Sequence, residues 1–194
     1  MRQKHIDQIA RGISHLLCPP IVAWAGVLLV ATIQPSLKGW VCAIAYKLIA
    51  ILGPILFLFG FLSRGRISDL DITQRGERPV PFLVALGGCI LAWFCLYAVG
   101  APALLIRFAG AHMSIMALIF VITLFWKISV HSAGIAGVAI LATSLLGGLQ
   151  VLALTSVILV GWSRIRLGHH TLSQVVAGGI LGSLIFTLLL LPPI

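Results

Sequence analysis

Long apolar runs dominate this chain, and they leave it only one medium in which to fold. They fall at about 14–33, 40–62, 81–100 and 108–126, with two shorter ones at 132–146 and 149–162 and a last one at 171–191. Most approach the ~20 residues that a helix needs to cross a hydrocarbon core of ~30 Å. Charged residues make up only 9% of the chain, against about 25% in an ordinary soluble domain, so too little polar surface exists to coat a globule in water. The expected fold is all-α: a polytopic transmembrane helix bundle of six to seven spans. Residues 1–194 are expected to form a single integral membrane domain, placed in a bacterial or archaeal cytoplasmic membrane.

Small residues and prolines punctuate the runs. Pro19 and Pro20 are expected to kink or delay the first helix, and Pro54 to kink the second. The basic N-terminal stretch precedes an apolar run without a convincing small-residue cleavage site, so that run is read as a retained span. A single helix over 132–162 would be about 46 Å long and cross once. Gly147, Gly148 and Gln150 interrupt it, which favours two short, tilted helices joined by a tight hairpin. Gly178 and Gly182 form a small-xxx-small pair suited to close helix contact.

The seven-run topology places the loops at 63–80, 127–131 and 163–170 on the side of the N-terminus. That side carries ten Lys and Arg residues, whereas the opposite side carries Lys38 and Arg107. Basic loops stay in the cytoplasm, so these three loops are expected there. The net charge of +9 is accounted for by this asymmetry and by anionic phosphate, not by nucleic acid. The four cysteines lie inside apolar runs without metal-ligand spacing and read as core packing.

Those three loops also hold most of the reactive side chains. The first, Ser63 to Pro79, contains Arg75, Arg78 and three of the chain's four carboxylates, Asp69, Asp71 and Glu77. The second contains Lys127, Ser129 and His131, and the third contains Ser163, Arg164, His169, His170 and Gln174. Guanidinium groups match phosphate oxygens two at a time. An imidazole can attack phosphorus, and a second can protonate the departing alcohol. This inventory suits phosphoryl chemistry on a membrane lipid.

Ser163-Arg164-x5-His170-x3-Gln174, running into Val175-Val176-Ala177-Gly178-Gly179, resembles the third signature of the type 2 phosphatidic acid phosphatase and haloperoxidase superfamily, Ser-Arg-x5-His-x3-Asp. Ile128-Ser129-Val130-His131 stands where that family has Pro-Ser-Gly-His, and Arg78-Pro79 closes a segment similar to its Lys-x6-Arg-Pro. The resemblance implies a phosphatidic-acid-phosphatase-like helical core and a metal-free phosphatase. It implies His170 as the nucleophile that forms a phosphohistidine and His131 as the acid for the leaving alcohol. Arg78 and Arg164 would hold the phosphoryl oxygens, with Ser129 assisting.

Three positions depart from the family pattern. Asp71 replaces the signature lysine, leaving Lys127 or Arg75 to supply that cation; Val130 replaces a glycine; Gln174 replaces the aspartate that orients the nucleophile. These departures keep two alternatives open. One is an inactive descendant serving as a structural subunit of a membrane complex. The other is a Mg²⁺-dependent prenyl-diphosphate transferase or cyclase using Asp69, Asp71 and Glu77; the preferred reading of those carboxylates is that they hold their loop in shape. The expected partners are the bilayer, a lipid phosphate or isoprenoid diphosphate substrate, and further copies of the chain in a homo-oligomer or the other subunits of a membrane complex.

Overall fold

The computed structural model describes residues 2–190. Helix is the only regular structure among them. The helices are α1 (Arg2–Leu16), α2 (Pro19–Ile33), α3 (Leu37–Tyr46), α4 (Gly53–Ser63), α5 (Pro79–Ala98), α6 (Ala103–Phe125), α7 (Val130–Leu146), α8 (Gln150–Arg166) and α9 (Leu172–Leu190). A π-helical turn, Lys47–Leu52, joins α3 to α4, and a 3₁₀ turn, Arg75–Glu77, precedes α5. The segments 37–63, 79–98, 103–125 and 172–190 are each long and apolar enough to cross a membrane. A fifth candidate is the pair α1–α2, bent by 45° at Cys18.

The N-terminal run departs from expectation. It extends back as a helix to Arg2 and breaks before Pro19. The cause is local: residues 2–16 are polar on most faces, and only Ala10 and Ser14 are buried among those whose exposure is described. Pro19 and Pro20 lack the N–H groups that would continue the ladder, so a new helix starts with Pro19 in its first position.

The chain divides into two compact units, one comprising residues 1–26 and 128–194 and the other residues 27–127. In the second unit, α5 packs against α6 and against the α3–α4 segment. The π turn answers to Pro54, whose ring would collide with the carbonyl four residues back in a regular helix. Widening the preceding turn avoids this, and the Gly53 N–H donates to Leu48 O, five residues back. Gly88 of α5 lies against this turn; a Cβ there would stand 3.0 Å from Ile49 O. Within the unit, the hydroxyl of the buried Tyr46 lies 2.7 Å from Nδ1 of the half-buried His112.

In the first unit, α7 packs along α9, and α8 packs on both and on α1. Three contacts fix a parallel register between α7 and α9. A Cβ on Gly178 would strike Ser129 O, one on Gly182 would strike Ala133 O, and one on Gly137 would meet the Phe186 ring at 2.6 Å. Each pair is separated by the same 49 positions, so the starts of α7 and α9 lie together. The intervening α8 must therefore run back. Its reversal is the turn at Gly147 and Gly148, both left-handed at φ 64° and 60°, a conformation that glycine enters without steric cost. The hairpin expected from the two short runs is what forms.

Candidate functional site

Three helix ends meet in the first unit: the starts of α7 and α9 and the end of α8. Ser129 caps α7, its Oγ accepting from Ser132 N (3.2 Å) and from Ser132 Oγ (2.9 Å). Its own backbone N–H donates to Gln174 O at 3.2 Å, tying the first turn of α7 to the first turn of α9. This bond requires the close approach that Gly178 and Gly182 permit. His131 lies one residue into α7 and is buried. It is therefore helical instead of belonging to a 127–131 loop, because the Ser129 cap starts the helix early.

The start of α9 carries a reciprocal cap. Gln174 N donates to Thr171 Oγ1 at 3.4 Å, and Thr171 N donates to Gln174 Oε1 at 3.2 Å. This is the capping-box arrangement, with Gln at its third helical position. The same Oε1 lies 3.0 Å from His170 Nδ1. Because a backbone N–H already donates to that atom, it is the amide oxygen, and His170 Nδ1 must be the proton-bearing nitrogen. In the neutral ring the lone pair is then on Nε2. Gln174 thus fixes the tautomer that a nucleophilic imidazole requires, although as a neutral group it adds no charge to stabilise an imidazolium.

Arg164 and Ser163 belong to the last turn of α8, not to a loop, since Arg is a good helix former and favours helix C-termini. Arg164 is 1% exposed. Its Nη1 donates to Ser14 Oγ of α1 at 2.6 Å, and its carbonyl accepts from His169 N (3.0 Å) and His170 N (3.2 Å). Gly168, at φ 70°, makes the left-handed turn that brings those N–H groups back. One residue thereby positions the α8 end, the catalytic-candidate loop and α1. Arg166 pairs with Asp7 at 2.9 Å, a second tie from α8 to α1.

The remaining candidates lie in the second unit. Arg78 is buried immediately before α5; its Nε donates to Ile72 O at 2.8 Å, and its guanidinium lies 5.6 Å from the Phe82 ring centroid. Ile72 is the one non-glycine among the described residues with a left-handed backbone, at φ 47°. A strained residue of this kind persists when its surroundings over-determine it. Here Ile72 N donates to Asp69 O while Arg78 grips its carbonyl. Asp69 accepts from Thr73 N and Oγ1, and Glu77 accepts from Ser68 N and Oγ. These two carboxylates shape their loop, and Asp71 beside them is half-buried. No cluster of three or more metal-ligating His, Cys, Asp or Glu is present among the described residues. Arg75 Nη1 donates to Leu124 O at 2.9 Å near the end of α6, which Lys127 closely follows.

The structure thus joins Ser129, Arg164, His170 and Gln174 through short backbone and side-chain bonds, with His131 in the adjoining turn. It groups Arg75, Arg78, Asp69, Asp71 and Glu77 separately in the 64–78 loop. Sequence reasoning overlooked Thr171 and Ser14. The Thr171-x-x-Gln174 pattern was a readable sign of the first, whereas nothing local marks a serine 150 positions from its arginine. Neither a protein-family model, nor a curated protein, nor a solved structure matches this chain.

Proposed function

We propose that this protein is a membrane phosphatase that hydrolyses a lipid phosphate or an isoprenoid diphosphate through a phosphohistidine. The observation that carries this reading is the 3.0 Å contact between His170 Nδ1 and a Gln174 oxygen whose acceptor character Thr171 N–H fixes. Two helix N-termini side by side support it further. Each carries a partial positive charge near half a unit, and in a low-dielectric setting an anion between them relieves their repulsion.

In the proposed reaction, His170 Nε2 attacks phosphorus and the bond to the departing oxygen breaks. His131, protonated, supplies that oxygen with a proton. Water then attacks the phosphohistidine while the now neutral His131 removes its proton, which releases phosphate and restores both rings. Arg164 and the Ser129 cap stabilise charge on the phosphoryl oxygens. Fixed donors of this kind carry much of the barrier reduction in phosphoryl transfer. The wider reading is a divergent member of the phosphatidic acid phosphatase superfamily, with α7 and α8 as short spans among six to seven crossings and the site at the cytoplasmic face.

The test is phosphate release by purified protein in vesicles, with radiolabelled lipid phosphate used to trap an acid-labile phosphoprotein. We expect the label on His170 and a loss of roughly 10⁴-fold or more in His170→Ala. Full activity in that variant eliminates the mechanism. A second reading, a structural subunit without catalysis, draws on the commitment of Arg164 Nη1 to Ser14. It expects a stoichiometric partner and no phosphate release. The Mg²⁺-dependent alternative expects turnover to stop on chelation, and the engagement of Asp69 and Glu77 within their loop weighs against it.

A further inference from the structure

We infer that a groove between α8 and α9 holds the hydrocarbon chain of the phosphate-bearing lipid, laid along α9 with its head at the His170 end. This inference rests on the reading above and specifies how the substrate is seated. The groove has a volume of about 800 Å³, within the range of small-molecule sites. Its lining is overwhelmingly apolar; Trp162 and Val176 form part of its walls, and Thr187 lies at its far end.

Three observations identify the occupant. The first is continuity with the site. Ser132 lines the groove and donates to Ser129 Oγ, Leu172 lines it two residues from His170, and Trp162, also in its lining, immediately precedes Ser163 and Arg164. A molecule in the groove therefore has its head among the anion-favouring groups. The second is depth made by a missing side chain: a Cβ on Gly179 would meet nothing within 4 Å, although its neighbour Gly178 is pressed against Ser129 O. The third is length. From Leu172 to Thr187 α9 rises about 22 Å, more than the roughly 15 Å of hydrocarbon that one leaflet provides. A long chain, acyl or isoprenoid, matches these dimensions and this lining.

The experiment uses the full chain in phosphatidylcholine vesicles, with a diacyl phosphatidic acid and a polyprenyl phosphate each carrying a photoreactive group in the chain. Labelling is expected on groove residues of α8 and α9, with competition by excess unlabelled lipid phosphate and a decrease in Gly179→Leu. Comparing the two probes distinguishes an acyl from an isoprenoid chain. In kinetic assays Gly179→Leu should raise KM for the long-chain substrate by about 10-fold and leave a short-chain, water-soluble phosphate ester unchanged. Ser183→Leu, at a second groove position, guards against a folding defect confined to the first variant. Uncompeted labelling spread over all lipid-facing helices overturns the inference in favour of bulk bilayer contact. Disulfide-linked dimers of Ile180→Cys that block labelling overturn it in favour of a second copy. Competed groove labelling without phosphate release from any substrate retains the groove and removes the phosphatase reading. Phosphate release with equal losses on long and short substrates does the reverse.

Discussion

The two units solve the same solvent problem in opposite ways. In residues 27–127, bulky rings fill the space between helices: in mid-helix the buried Tyr46 reaches the half-buried His112, with Phe108 edge-on to Tyr46 at 6.0 Å. In the unit built from 1–26 and 128–194, glycines let α7 and α9 touch backbone to backbone, and buried polar atoms collect at helix ends. The difference separates architecture from chemistry. A mid-helix pair that is closed on itself stabilises packing, whereas helix termini leave N–H groups and a positive potential that a ligand can use.

The contrast is broken most severely at Gln174. Gln174→Ala removes both the α9 cap and the partner of His170, and phosphate release should fall by about 10³- to 10⁴-fold, the scale observed when a nucleophile system loses its orienting group. Gln174→Glu keeps the geometry and adds the missing negative charge; we expect kcat to rise by about 10-fold, since charge-assisted bonds are roughly twice as strong as neutral ones. A fall in Gln174→Glu would count against His170 as the nucleophile. Next in size is Gly182→Val, whose side chain would enter the Ala133 carbonyl. Unfolding measured by thermal shift in detergent should show a loss of about 3 kcal/mol or more, whereas Gly179→Ala should change stability by less than about 0.5 kcal/mol.

In the other unit, Tyr46→Phe leaves His112 without its hydroxyl partner and should cost about 1–3 kcal/mol of stability while leaving phosphate release intact. Loss of turnover there would merge the two roles that the comparison separates. The smallest effect is expected at Asp7→Asn. Its pair with Arg166 is about one-third exposed on each side, so less than about 1 kcal/mol should be lost, and adding salt to the wild type should mimic the change.

Much of the helix plan was legible because apolar runs report directly on which segments avoid water. Residues 37–63, 79–98, 103–125 and 172–190 correspond to such runs within a few positions, and Gly147–Gly148 correctly marked a reversal. The Gly178–Gly182 pair was a weak sign in isolation and became decisive once Ser129 and Ala133 were seen opposite it. Two features escaped. The π turn arises from a clash one turn before Pro54, and a substitute hydrogen-bond pattern leaves no compositional trace. The Arg164–Ser14 bond joins residues whose local surroundings say nothing of each other. At the candidate site, residue types were readable, but the tautomer of His170 depends on one amide proton from Thr171, which only geometry reveals.

The tie between Asp7 and Arg166 also sets a timetable for biogenesis. Helix α1 docks on a partner made 159 residues later, a delay of roughly 8–30 s at ordinary elongation rates. Throughout that interval α1 must wait beside the nascent chain with its lone acid exposed. Chaperones or the insertion machinery can reach it then, and final docking of α1 becomes a late event in assembly.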